Sequence, residues 1–365
     1  MLNLSALFIS QQRMNELLGA NLLHRSMGSF SLADRKVGGL QRRQVLTAYE
    51  EATIEWLNRA DLPTLGELIV GEELRYGKFF THIGPFYGRA TMESDGLFFS
   101  DKPLKREAVI WTKLDGLKAG HTLTLQVHPE NYTTRSAAGE LAGRKRLFLV
   151  GRLTDCDAKQ IRAQAYVIGH LHEQARPNSV VLDRFTLLSH QMEVYPSMIE
   201  NFSLSQPQKM PTLKELQRLL QTSEVEVKTA FANIIGEPFI PKDWGGETSD
   251  LVSTQIRLKG ESVTTAFAFK GPAKPKPLTV ADLGKNGDQI SRLFSEPCDL
   301  VILQHCHKVT SAVRDHMRAF ATRFNRLRPF CIIDGADTVR ILRAYRQLGF
   351  GSSSKTRIVI GKRLT

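Results

Sequence analysis

Two side chains in this sequence are of the types that do phosphate chemistry, Asp250 in "GGETSD" and Lys270 at the end of "VTTAFAFK". A carboxylate can hold a divalent cation, which lowers the pKa of bound water. An ammonium beside it can orient that water or offset the charge growing on a pentavalent phosphate. The alternation places Thr265, Phe267 and Phe269 on one strand face, with Thr264, Ala266, Ala268 and Lys270 on the other. A hairpin through "KGES" would bring the start of one strand to the end of the next, so Asp250 and Lys270 are expected at one sheet edge. On a regular strand, however, Asp250 would share a face with Val252, Thr254, Ile256 and Leu258. Meeting Lys270 therefore requires a bulge, or a strand that begins after Asp250.

The elements that must position this pair read in a regular order. Thr212 is placed to cap a helix "LKELQRLLQ", and Ser223 to cap "EVEVKTAFANIIG" with Glu226 as its capping-box partner. Val227, Phe231 and Ile234 give the second helix its apolar stripe, and Gly236 closes it. Two strands follow, over 251–258 and 263–270. After them come a helix from about residue 285 carrying Ile290, Leu293 and Phe294, the strand "DLVILQH", a helix from Ser311, the strand "PFCIID" and a last helix "ADTVRILRAYRQL". The order predicts an α/β domain over 212–365, a mixed central sheet flanked by helices.

Upstream, Leu40, Val45, Leu46, Tyr49, Ile54 and Leu57 fall at helical spacings, and the opening "MLNLSALFISQQRMNELLG" reads as an amphipathic helix. Residues 1–62 are thus expected to be a helical segment. Residues 63–203 hold short runs punctuated by Gly, Pro, Asp and Asn, which predict a β-rich barrel or sandwich. A barrel of the OB type would suit single-stranded nucleic acid, with Arg144, Lys145 and Arg146 supplying charge. The stretch "SLSQPQKMP" reads as a linker.

A helix, then "GGETSD" opening a strand, a strand ending "AFAFKG", and a helix with an early glutamine together resemble the core of the PD-(D/E)XK nuclease superfamily, most closely its Mrr-like restriction-endonuclease branch. The resemblance covers about residues 212 to 310. It implies a restriction-endonuclease-like fold, Asp250 as a metal-binding aspartate, Lys270 as the lysine of the signature and Gln289 as the glutamine of the following helix. An upstream helix glutamate, Glu224 or Glu226, could contribute as in many members. The sequence departs from the pattern at Ala268, where an acidic residue or glutamine is expected two positions before the lysine. A migrated second acid would be Glu247 or Asp288. Lys285, Gln289 and Arg292 fall at i, i+4 and i+7, a polar stripe suited to phosphates.

Composition bounds these readings. Lys and Arg number 49 against 37 Asp and Glu, a net charge of +12, which suggests a polyanionic partner, most simply nucleic acid. Four cysteines with no C-x-x-C pair argue against a zinc ribbon or disulfide framework and fit a reducing cytoplasm. No apolar run approaches a bilayer span. His305 and His307 share a strand face, and Asp334 with Gly335 ends a strand where α/β sheets take small ligands, but neither has further ligands or a glycine fingerprint. The expectation is a cytoplasmic endonuclease dependent on Mg²⁺ or Mn²⁺, acting on DNA ahead of RNA, in prokaryotic restriction or anti-phage defence. The alternative is a non-cleaving nucleic-acid-binding or scaffolding subunit of a defence complex.

Overall fold

The chain begins with a strand. β1 (Leu2–Ile9) lies antiparallel on β6 (Gln160–Gln174), from Leu2 opposite Glu173 to Ile9 opposite Val167. At Gly169 the two backbones approach so closely that a Cβ would sit 2.3 Å from the Ser5 carbonyl oxygen, which only glycine permits. The computed structural model describes residues 2–19, 39–88, 108–141, 143–174, 185–187, 192–240, 248–272 and 275–351.

The chain divides into two units. One comprises Met1–Glu193, Thr279–Ser295 and Thr310–Phe330, and the other Val194–Leu278, Glu296–Val309 and Cys331–Thr365. In the first unit β2 (Phe79–Gly88), β3 (Ala108–Lys113), β4 (Thr122–Val127), β5 (Gly143–Cys156) and β7 (Phe185–Leu187) join β1 and β6 in a seven-stranded sheet. Its path runs β1-β6-β4-β3-β2-β5, and β5 pairs again with β6. Five strands therefore close into a barrel, with β1 and β7 added on β6. Phe80, Phe86, Ile110, Leu123, Leu125, Leu149 and Ile161 fill it. This unit also holds α1 (Gln11–Leu18), α2 (Gly39–Ala60), α3 (Leu65–Val70) and α4 (Arg135–Leu141). Two helices from late in the chain belong to it as well, α7 (Asp288–Ser295) and α8 (Ser311–Ala321). His316 on α8 bonds the Gly116 carbonyl oxygen at 2.8 Å, and Ala319 enters the barrel-side core.

The second unit carries α5 (Leu213–Leu219), α6 (Glu224–Ile235) and α9 (Gly335–Ala344) beside a five-stranded mixed sheet. The sheet order is β8 (Glu193–Val194), β12 (Phe330–Ile333), β11 (Leu300–His305), β10 (Glu261–Lys270), β9 (Leu251–Leu258). β10 is parallel to β11 and antiparallel to β9. The turn between β9 and β10 has Lys259 and Gly260 both at positive φ, 54° and 83°, the backbone of a tight hairpin. Phe267 and Phe269 stack on one sheet face at 5.7 Å, and Phe269 meets Phe231 of α6 edge-on.

The fold class expected from the sequence is corrected on two counts. No helical segment opens the chain, because "LNLSALFI" is a short apolar run that fits either period, and pairing along a 15-residue strand decides for β. Nor does residue 212 onward form a restriction-endonuclease-like domain. The architecture is a closed barrel and a separate mixed sheet, and the two helices expected to flank that sheet, α7 and α8, fall in the barrel's unit. An amphipathic stripe shows that a helix buries a face, not which sheet receives it. Among the described residues no helix is long and apolar enough to cross a membrane.

Candidate active site at the end of β10

β9 starts at Leu251, so Asp250 stands one residue outside it. That resolves the face conflict, since the side chain is not bound to the alternation of the strand. Asp250 donates its own amide to the Phe267 carbonyl at 2.8 Å, and its Oδ2 accepts the Phe269 amide at 2.5 Å. The carboxylate thereby continues the ladder after the backbone of β9 has left it.

One residue past Lys270, the Gly271 amide donates to Glu224 Oε2 at 2.6 Å. Glu224 is the first residue of α6, whose N-cap is Ser223. A Cβ at position 271 would lie 2.7 Å from Glu224 Cβ, so the glycine is what lets the first helical turn close on the strand end. Amides two apart on a strand point to the same side and sit about 7 Å apart. The amides before and after Lys270 are thus each taken by a carboxylate, one from the approach to β9 and one from α6. Glu226, the other glutamate considered upstream, is used differently. It closes the capping box, accepting the Ser223 amide at 2.8 Å and its hydroxyl at 2.7 Å, bonds that hold its carboxyl below the usual range.

Lys270 is half-buried, on the face of Ala266 and Ala268 and opposite His305 of β11. His305 has Nδ1 3.0 Å from the Lys270 carbonyl oxygen and Nε2 3.1 Å from that of Lys276. Both ring nitrogens thus face carbonyls, and the side chain works as a clamp on the segment leaving β10, not as half of a histidine metal pair. His307 accepts the Lys308 amide through Nδ1 at 2.7 Å. Cys306 points to the opposite face, where burial, with the charge of Glu224 adding, pushes its thiol up to about 11. Asp334 caps α9, accepting the Ala336 and Asp337 amides at 2.9 and 3.0 Å, which accounts for it without a ligand.

The remaining expected residues lie elsewhere. Glu247 lies outside the described residues. Lys285, Asp288, Gln289 and Arg292 belong to the first unit, whereas Asp250 and Lys270 belong to the second. Lys285 pairs with Glu72 at 2.7 Å, and Asp288 with Arg292 at 3.6 Å. Gln289 has a buried Oε1 without a hydrogen-bond partner among the described residues. Among the described residues no group of three or more His, Cys, Asp and Glu gathers as a metal site. Among the described residues, Asp250 and Glu224 are the carboxylates bonded to the amides of this strand end.

On the barrel, Arg144 and Lys145 are exposed and Arg146 is half-buried on β5, opposite Tyr87, Phe86 and Pro85 of β2. The Arg144 guanidinium sits 5.9 Å over the Tyr87 ring, which stacks on Trp111 at 6.0 Å and 20°. Phe80 and Phe86 are core residues. The sequence carries no signal for His82, a buried histidine on β2, because the cavity it lines is built from four separate segments. For Glu224, by contrast, the glycine directly after Lys270 was a usable signal of close helix approach.

No protein-family model matches the chain, and no curated protein or solved structure shows detectable similarity to it.

Proposed function

We propose that the chain hydrolyses phosphodiester bonds of nucleic acid with the aid of a divalent cation. The observation that carries this is the placement of two carboxylates, Asp250 and Glu224, on the amides bracketing Lys270. Mg²⁺ is commonly held by one or two carboxylates, with waters completing its shell, and this donor set meets that requirement. Asp250 would hold the ion and Glu224 would be the second carboxylate, in place of the acid that Ala268 lacks. The cation, when bound, would make its water more acidic. The Lys270 ammonium offsets negative charge on the phosphate as it becomes pentavalent. His305 fixes the backbone that carries Lys270.

The net charge of +12 and the Arg144–Tyr87–Trp111 stack support a nucleic-acid partner, with aromatic and guanidinium surfaces suited to bases and phosphates. DNA ahead of RNA, a role in prokaryotic defence and a cytoplasmic setting rest on the sequence likeness at Asp250 and Lys270 and on four cysteines with no C-x-x-C pair. The test is incubation of the full chain with plasmid and single-stranded DNA under Mg²⁺ or Mn²⁺, beside Lys270→Ala. Cleavage that disappears in the variant supports the reading.

Ala268 favours a second reading, a nucleic-acid-binding subunit that does not cut. DNA binding with no cleavage under either metal, alone or with natural partners, selects it.

A further inference from the structure

A cavity of about 140 Å³ opens in the first unit between β2, the 113–117 segment, β5 and α8. Among the described pairings β2 meets β3 only through Tyr87 and Gly88, so the stretch before them has an edge free of β3, and the cavity lies along that stretch. His82 lines it and is 6% exposed, yet neither of its ring nitrogens has a hydrogen-bond partner among the described residues. Gly84 makes room for the ring, since a Cβ there would sit 2.5 Å from His82 Nε2. Arg146 also lines the cavity, and its Nη1 is buried without a partner. Buried polar atoms of this kind are rare, and one explanation is a ligand or ion that supplies the missing acceptor.

The charge around these two orphaned groups is cationic. Lys113, Arg144, Arg146 and Arg318 line the cavity against Asp115 and Asp315, two positive charges in excess. Arg318 is held in place by Asp315 at 2.6 Å and by Glu193 at 3.2 Å. Burial and the charge of Arg146 depress the His82 pKa to about 4, so the ring is neutral at pH 7 and has one N–H to give. The His82 N–H and the unpartnered Arg146 Nη1 both line this space and both donate, with one imidazole nitrogen left to accept. The complementary ligand offers several acceptor oxygens and carries about two negative charges, the description of a phosphate monoester.

We propose that this cavity is a phosphate-monoester site, with Arg146 and His82 as its inner donors and Arg144 and Arg318 as its flanking charges. It is built from the first unit alone and stands whether or not the second unit cleaves nucleic acid. The phosphate has two possible sources, a free mononucleotide or the 5′ end of a nucleic-acid strand. The Tyr87–Trp111 stack beside the cavity offers a flat surface for a base attached to it.

The experiment titrates the full chain with inorganic phosphate, AMP, and a 5′-phosphorylated and a 5′-hydroxyl form of one oligonucleotide, without divalent metal. Saturable binding of phosphate and AMP is expected, weakened roughly tenfold or more in Arg146→Gln. A preference of tenfold or so for the 5′-phosphorylated strand assigns the site to strand ends. Equal binding of the two strands with AMP still bound assigns it to mononucleotides. Should Arg146→Gln fail to fold, the His82 ring nitrogen resonances of the wild-type chain are followed during phosphate addition and are expected to shift. Absence of saturable phosphate binding, full affinity in a folded Arg146→Gln, or unmoved His82 resonances overturns the proposal.

Discussion

Asp250 and Glu224 come from different elements, yet they accept the two backbone amides that bracket Lys270, at 2.5 and 2.6 Å. An exposed strand end would leave those amides to water. Here two carboxylates are fixed on the amides that precede and follow a lysine in the chain, and the negative charge is held in place by donors that cannot rotate away.

The two roles of Asp250, as amide acceptor and as metal ligand, separate by substitution. Asp250→Asn keeps an oxygen for the Phe269 amide and is expected to retain stability while losing cleavage. Asp250→Ala removes the acceptor and is expected to lose about 1–3 kcal/mol of stability as well. Chemical denaturation of both variants beside cleavage rates checks this. Equal stability of the two would mean that the Phe269 amide does not depend on Asp250.

Gly271→Ala tests the approach of Glu224. The new methyl would stand 2.7 Å from Glu224 Cβ and push the first turn of α6 away from the strand end. Overpacking of this kind costs about 1–3 kcal/mol. Cleavage should fall with it, although residue 271 contributes no functional group. A variant as stable and as active as the parent would show that α6 does not hold Glu224 on this amide.

His82 predicts a pH dependence for the barrel. Its pKa is lowered from 6.5 to about 4 in the folded state, by burial first and by Arg146 second. Arg144, Arg318 and Lys113 reinforce that direction around the cavity, and Asp115 and Asp315 oppose it. The unfolded chain binds the proton first, so the stabilisation is complete above pH 6.5 and is lost as pH falls toward 4. The full effect is on the order of 3 kcal/mol. Hydrogen exchange of β2 amides at pH 7.5 and 4.5 should therefore change more in the wild type than in His82→Gln. Equal changes would contradict it.

Nucleic-acid binding should weaken steeply with salt. Replacing Arg144 and Lys145 together by Gln should lower the slope of log affinity against log salt by about 2, provided both touch phosphates. The slope is read from binding between low and moderate salt. An unaltered slope would move the contact surface off β5.

Local signals in the sequence survived into the structure. The helix cap at Thr212, the capping box at Ser223, the closing Gly236 and the turn at Lys259–Gly260 are chemical features of a few adjacent residues, and each appears. Assignments that depended on distant partners did not all survive. The run that forms β1 fits a helix as well as a strand by itself, because its ladder partner is more than 150 residues away in β6. The stripe on α7 shows burial but does not say which unit takes the helix. For the site, Asp250 and Lys270 were legible as a hairpin pair. The fold separates Glu224 from Glu226, because both sit in the first turn of one helix and only Glu224 meets Gly271.

The most direct test is the single-turnover rate of DNA cleavage under Mg²⁺ or Mn²⁺ by the wild-type chain and by Lys270→Met, with DNA affinity measured on the same samples. The arrangement around Lys270 predicts metal-dependent cleavage by the wild type and a loss of roughly 100-fold or more in the variant, at unchanged affinity. Equal rates in the two proteins, or no cleavage by the wild type with either metal, would contradict it.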